Sequence, residues 1–391
     1  MKIQFWYSDI LPNTNIRNSI EKIDNSILFN NIDTNTIDTT KLNFLVFLLE
    51  NEWTVPHNKN TAHTHSIEFI ALLTKLQSKN FYFIADGGEA ELFKDEVFSK
   101  FLNILNNNKF DINKLIVINN DFSKVGFHKI KYDKFVLNTL FFPHFFLATY
   151  DNLNKYIKDI VTNNKTIPNK KFLCLNRRMT DKKYKIIEEL YNRGLLNDTR
   201  FTWIKNFVSI NNINKELILE YNIDVNAFKS IQLEDDVSYT TDVIMQEENL
   251  HIINPNWYYQ SKVNIISETM LYDNRIHITE KTWKPIYLGV PFVIYAPSKH
   301  YLKTLRDMGF KTFNSVINED YDEMNGKDKI KKIIDSALEL SNVYNSKEVL
   351  DICKFNQKLY FDFQYRKQIY KELFLNKICD VQNLTIPKTL I

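Results

Sequence analysis

Glycine is scarce in this chain. With Gly 7 in 391 residues there is no GxGxxG fingerprint and no P-loop, so no glycine-rich turn can cradle phosphate on backbone N–H groups. Any phosphate the protein binds must be met by charged side chains. Cysteine is scarcer: Cys174, Cys353 and Cys379 make no CxxC pair and no disulfide framework, which fits a reducing compartment. Charge of one sign is also missing. Lys+Arg 50 against Asp+Glu 47 leaves +3, no electrostatic case for tight nucleic-acid binding. Long apolar runs are absent. Phe135 to Tyr150 is broken by Asn138, Pro143 and His144 and is too short and polar to span a bilayer. Met1 to Pro12 carries polar residues through any signal core. A soluble, cytoplasmic protein is the expectation.

What is present fills two cores. Hydrophobic residues make up 44% and aromatic ones 14% of the chain, and its length argues two domains. Strand-like runs at Lys2 to Tyr7, Asn43 to Leu49, Phe81 to Ala85, Leu115 to Asn119 and Phe135 to Phe142 alternate with helical periodicity at His65 to Leu76 and Glu91 to Asn106. That alternation predicts a parallel sheet. The polar stretch Thr162 to Lys170, with Pro168 inside, reads as a linker. A second α/β series follows, with strands at 171–175, 201–207, 261–267 and 292–295 and helices at 181–193, 279–288, 299–308 and 327–340. One or two long helices over 347–375 close the chain. The expected architecture is α/β, with Rossmann-like domains over 1–161 and 171–345 facing across a cleft and a helical segment, 346–391, packing back over them.

Three constellations carry chemistry. The first is Thr279-Glu280-Lys281 at a predicted helix start, after the strand that ends at Ser267-Glu268-Thr269. A carboxylate there can accept from vicinal ribose hydroxyls, a lysine can meet phosphate, Thr279 is a natural N-cap, and helix N-termini favour anions. The same residues also spell an ordinary capped helix. The second is Asn176-Arg177-Arg178 at the carboxyl end of a first strand, where arginines are placed either for a diphosphate or for a salt-bridged loop. The third is Asp86-Gly87-Gly88-Glu89-Ala90-Glu91. Its glycines permit a tight turn that holds Glu89 at the top of the first sheet, as a general base or as part of a helix cap. Asp320-Tyr321-Asp322 spells DxD but sits in an acidic run that reads as a solvated loop. His63-Thr64-His65 reads as a surface or capping pair rather than a metal site. No GxSxG, HExxH or zinc-spaced Cys/His set occurs.

The segment Ser267 to Phe313, with Ser-Glu-Thr, Ile-Thr-Glu-Lys-Thr-Trp-Lys-Pro and Gly-Val-Pro-Phe-Val-Ile, resembles the C-terminal half of GT-B glycosyltransferases, particularly the Thr-Glu-Lys signature of the α-1,3-fucosyltransferase-like family and its viral and bacterial relatives. Asn176-Arg177-Arg178 is similar to the first-strand element of that half. The resemblance implies a nucleotide-sugar donor, with Glu280 on the ribose, Lys281 and Arg177 or Arg178 on the phosphates, and Asn176, Glu268 and Thr279 in the same donor site. By position it implies Glu89 as the base. Arg275-Ile276-His277-Ile278 replaces the family's aromatics before Thr-Glu-Lys. The implied activity is metal-independent, inverting transfer of a sugar to an acceptor hydroxyl on a glycan, a protein or a modified base in DNA. A nucleotide-sugar or glycan-binding module without catalysis is the alternative from another class.

Overall fold

The computed structural model describes residues 3–7, 29–31, 37, 42–48, 67–77, 81–86, 96–143, 146–147, 167–176, 181–201, 216, 255–268, 275–296 and 298–378. The chain forms two compact units, one of Met1–Ala148 with Phe363–Ile391, the other of Thr149–Asp362.

The first unit is built on β1 (Ile3–Tyr7), β2 (Phe29–Asn31), β3 (Leu42–Leu48), β4 (Phe81–Asp86), β5 (Leu115–Asn119), β6 (Phe127–Tyr132) and β7 (Phe135–Phe141), with helices α1 (Ile67–Leu76) and α2 (Glu96–Asn107). The sheet order is β2-β1-β3-β4-β5-β7-β6. Every pairing is parallel except β6 with β7. The central strands are buried without alternation, as in Phe81 to Ala85 and Leu115 to Ile118, because a parallel sheet is covered on both faces. In α2, Phe98, Phe101, Leu102 and Leu105 fall at i, i+3, i+4 and i+7 and are all buried, which gives one apolar stripe for the sheet. Phe101 meets Phe47 edge-on at 6.1 Å.

Sequence periodicity missed β6. Its residues Phe127-His128-Lys129-Ile130-Lys131-Tyr132 are not among the expected strands, yet they pair antiparallel with β7 through a two-residue turn. Asp133 in that turn has φ 51, a left-handed conformation that Asp tolerates better than most residues. His128, Lys129 and Lys131 are exposed. Lysines on an edge strand discourage pairing with another chain.

The second unit has β8 (Lys170–Cys174), α3 (Asp181–Asn192), β9 (Thr199–Phe201), α4 (Pro255–Tyr259), β10 (Ser261–Ser267), α5 (Glu280–Leu288), β11 (Phe292–Tyr295), α6 (Tyr301–Asp307), α7 (Gly326–Val343) and α8 (Lys347–Phe361). Its described strands run in the order β11-β10-β8-β9, all parallel. The helix α7 lies against β8, β10 and β11 and against α3, where Arg193 bonds Glu189 at 2.7 Å and Asp335 at 2.5 Å. On α5, Trp283 and Tyr287 pack against Tyr360 of α8, and Asn356 bonds both backbone groups of Lys311 at 2.8 Å. Gly289 ends α5 at φ 67. A Cβ there would also meet Gln357 at 3.1 Å, so both conformation and space require glycine. No described helix is long and apolar enough to cross a membrane.

The chain then returns to the first unit through α9 (Phe363–Tyr370) and a π-helical turn, Lys371–Leu375. Phe374 packs edge-on against Phe142 at 5.0 Å. Arg366 is fully buried. It donates to the Leu147 carbonyl at 2.9 Å and lies 4.9 Å from the Phe146 ring centre. Arg366→Ala removes a desolvated cation–π contact and a charge-assisted hydrogen bond together. We expect a loss of about 2–4 kcal/mol, read as an earlier urea transition of the first unit.

Candidate functional site

In an open parallel sheet, ligands bind where neighbouring connections leave in opposite directions, outside the carboxyl ends of the strands. In the second unit that point lies between β8 and β10, since β9 pairs on one side of β8 and β10 on the other. Asn264 stands opposite Leu173. Carried three residues on, that register brings Asn176 level with Ser267 at the carboxyl edge. The edge is therefore furnished by residues just after β8, at the start of α3, just after β10 and at the start of α5. Asn176, Glu268, Thr279, Glu280 and Lys281 all belong to these stretches.

Glu268 organises the edge. It is 1% exposed, and its carboxylate accepts four bonds. Oε1 takes the Thr279 N–H at 3.2 Å, the Thr282 hydroxyl at 2.5 Å and the Tyr301 hydroxyl at 2.7 Å. Oε2 takes the Thr279 hydroxyl at 2.6 Å. A buried carboxylate is tolerable only when its lone pairs are filled, and here protein donors surround it. Those donors come from the start of α5 and the start of α6, so Glu268 ties both helices to the end of β10. Burial, with the Glu268 charge beside it, raises the Tyr301 hydroxyl well above its ordinary pKa, so it remains a donor. Glu268 thus holds the first turns of α5 and α6 in place.

Thr279 caps α5 as its residue type predicts. Its backbone is extended and its hydroxyl accepts the Lys281 N–H at 3.3 Å while donating to Glu268. Glu280 and Lys281 are then the first two helical residues. Their side chains pair at 2.8 Å and are partly exposed, 18% and 27%. Glu280 suits the positive end of the helix dipole, whereas Lys281 opposes it.

Lys183 is the residue that sequence reading missed. It lies in the first turn of α3 and is only 5% exposed. It stands within electrostatic reach of Lys281, Glu268, Glu280 and Cys174. Burial, then repulsion by Lys281, lowers its pKa to about 8, with Glu268 and Glu280 opposing the shift. A signal was present. Lys183, Ile186, Ile187 and Leu190 fall at i, i+3, i+4 and i+7, so this lysine opens the apolar stripe of α3 instead of lying on its solvent face. Cys174, at the end of β8, is buried and accepts from the Asn176 amide at 3.3 Å, and burial pushes its thiol up to about 12. It is a packing residue with no thiolate to offer.

Arg177, Arg178, Glu89, His63, His65 and His144 lie outside the described residues. The DxD stretch is not a solvated loop throughout. Asp322 is buried and its carboxylate accepts the Leu302 and Lys303 N–H groups at 3.0–3.2 Å, which caps α6. Among the described residues no cluster of three or more His, Cys, Asp or Glu is arranged to hold a metal. A depression of about 640 Å³ is lined by Arg306, Lys311, Lys347, Glu348 and Asp351 among others, and no switch-point residue borders it. Its charges are already engaged in part, Arg306 with Glu319 and Thr312 and Lys311 over the Phe355 ring.

Two expectations follow. Glu268→Gln leaves one amide oxygen to face four donors and should destabilise the second unit by about 3–5 kcal/mol, measured by denaturant unfolding. Lys183→Met should do the reverse. Lys183 loses its proton near pH 8 when folded and near pH 10.5 when unfolded, so between these values the unfolded chain binds more protons and stability rises with pH. Below pH 8 the full penalty of a buried charge is present. The variant should therefore be more stable than the wild type by about 1–3 kcal/mol at pH 7, with the difference fading towards pH 10, as melting across that range would show.

No protein-family profile matches the chain, and no curated protein matches it. Among solved structures, an α,α-trehalose-phosphate synthase (UDP-forming) from Burkholderia vietnamiensis aligns over 94% of this chain and 78% of its own, at 9% identity and a TM-score of 0.37. At that distance the likeness transfers neither fold detail nor activity.

Proposed function

We propose that the protein is a glycosyltransferase whose second unit binds a nucleotide-sugar donor at the β8–β10 switch point. One observation carries this reading. The first turn of α5, capped by Thr279 and anchored on Glu268, places the partly exposed Glu280 and Lys281 at the helix N-terminus beside the carboxyl edge of β8 and β10, the end of a helix that suits an anion. With glycine so scarce, side chains supply the charge that a phosphate loop would otherwise provide.

The resemblance of Thr279-Glu280-Lys281 to the α-1,3-fucosyltransferase-like signature supports the finer assignment. Glu280 accepts from the donor ribose, while Lys281, with Arg177 or Arg178, faces the diphosphate. As the bond between the anomeric carbon and the phosphate oxygen breaks, negative charge grows on the leaving diphosphate. Cations fixed in place favour that state over the ground state. Glu89 takes the proton of the acceptor hydroxyl, whose oxygen attacks the anomeric carbon with inversion. Lysine and arginine supply the charge, so no metal is needed.

Melting in the presence of UDP-, GDP-, CMP- and dTDP-sugars, with and without EDTA, tests this directly. A saturating donor at ~100 times its Kd should add about 2.7 kcal/mol of stability, EDTA should leave the shift intact, and Lys281→Ala should abolish most of it. Glu89→Gln should retain the shift and lose transfer. No shift with any of the four classes would refute the donor site.

A further inference from the structure

The basic run Lys124 to Lys134 lies in the first unit and takes no part in the donor site. It holds Lys124, Lys129, Lys131 and Lys134 against Asp133 alone, in a chain whose totals nearly balance at Lys+Arg 50 and Asp+Glu 47. All four lysines are exposed. Among the described residues none of the four pairs with a carboxylate. Keeping an edge strand from pairing needs charge within the strand, which Lys129 and Lys131 supply. Lys124 precedes the strand and Lys134 sits in the turn, so edge protection leaves half of this charge unexplained.

The hairpin lays the charge out in a row. Lys129 and Lys131 are two residues apart and share one face of β6, with the exposed Val136 opposite Lys131. The six residues of β6 cover about 20 Å, the axial rise of about six phosphates along one strand of a duplex. Lys134 stands at the turn end of the row. Lys124 stands at the other, two residues before Gly126, whose carbonyl accepts the Phe141 N–H at 3.0 Å at the carboxyl end of β7. Lysine meets phosphate as a point charge and reads no base edge. Asn138, opposite Lys129, is buried and donates to the Asn113 carbonyl, so it offers no amide to a base. Proteins that hold single strands stack bases on exposed aromatic rings, but here Phe127 and Tyr132 are half-buried and Tyr132 packs on Phe98 at 5.3 Å. The face therefore matches duplex backbone.

We propose that the β6 edge of the first unit is a docking surface for the phosphate backbone of double-stranded nucleic acid, bound without regard to sequence. With a total charge of +3 the rest of the molecule adds little, so the affinity is that of four local contacts, modest and sensitive to salt. On the glycosyltransferase reading, the duplex would carry the acceptor hydroxyl; the surface itself does not depend on that reading.

Fluorescence anisotropy of a labelled DNA duplex of roughly 20 base pairs and arbitrary sequence measures the contact. Binding should weaken about 100-fold between 50 and 200 mM salt, as four phosphate contacts require. Lys129→Gln with Lys131→Gln should lower the salt slope by about two and weaken binding at 50 mM salt by at least about tenfold. Lys327→Gln with Lys331→Gln removes the same net charge from α7 in the second unit and should bind as the wild type does. All four positions are exposed, so the fold is not at stake. No binding by the wild type at 50 mM salt would overturn the proposal. So would an equal loss in the two double variants, which would make the effect one of net charge. Binding of chondroitin sulfate but not of the duplex would overturn it too and assign the face to a sulfated polysaccharide. The donor site is judged separately: a nucleotide-sugar melting shift without duplex binding keeps the glycosyltransferase and removes this surface, and duplex binding without any such shift does the reverse.

Discussion

One carboxylate with four donors sets the geometry of the second unit's switch point. Glu268 sits at the end of β10, and two helices begin from it. The capping residue Thr279 is oriented on both sides, giving its proton to Glu268 and its lone pair to the Lys281 N–H. Thr282 and Tyr301 complete the shell. The service of Glu268 is to fix the first turn of α5 so that Glu280 and Lys281 are held in one place. Supporting contacts of this kind convert a helix start, common in any fold, into a defined arrangement of charge.

The same edge shows a conflict between stability and use. Lys183 is buried, and desolvation disfavours its charge even with Glu268 and Glu280 within electrostatic reach. Proteins tolerate such liabilities mostly at functional sites. A surface lysine could have been placed anywhere along α3. This one occupies the position that an isoleucine or leucine would fill in a purely structural helix. Lys329 on α7 is comparable in burial and also has a pKa lowered to about 8 by burial, but it donates to the Ser298 carbonyl at 3.2 Å and has the carboxylates of Asp322 and Glu323 nearby. Lys183 has the same balance, with Glu268 and Glu280 favouring its charge and Lys281 opposing it, as Lys299 opposes that of Lys329.

Much of this was legible in the residues. Continuous apolar runs identified the central parallel strands, and the i, i+3, i+4 pattern located α2 and α3. Thr279 was readable as a cap. What escaped has a common cause: it depends on separation in sequence. Glu268 lies eleven residues from Thr279 and 33 from Tyr301, so no local pattern predicts that they share hydrogen bonds. Strand β6 escaped because its identity depends on pairing with β7, and its lysine-rich outer face looks like a loop when read alone. Lys183 escaped although its place in the apolar stripe was visible, because lysines at the start of an amphipathic helix are usually solvated.

The return of α9 to the first unit bears on how the protein is made. Its hydrophobic surface around Phe142 and Phe146 is completed by Tyr365, Arg366 and Phe374, which leave the ribosome only after the whole of the second unit. During synthesis the first sheet must wait with part of its apolar surface uncovered, while the second unit has all of its described elements and can close first. The native contacts of the first unit can therefore be completed only after the second unit has been synthesised. A nascent chain in that state exposes aromatic surface for as long as translation takes, which makes it a client for chaperones and makes the last described helices a requirement for a finished fold.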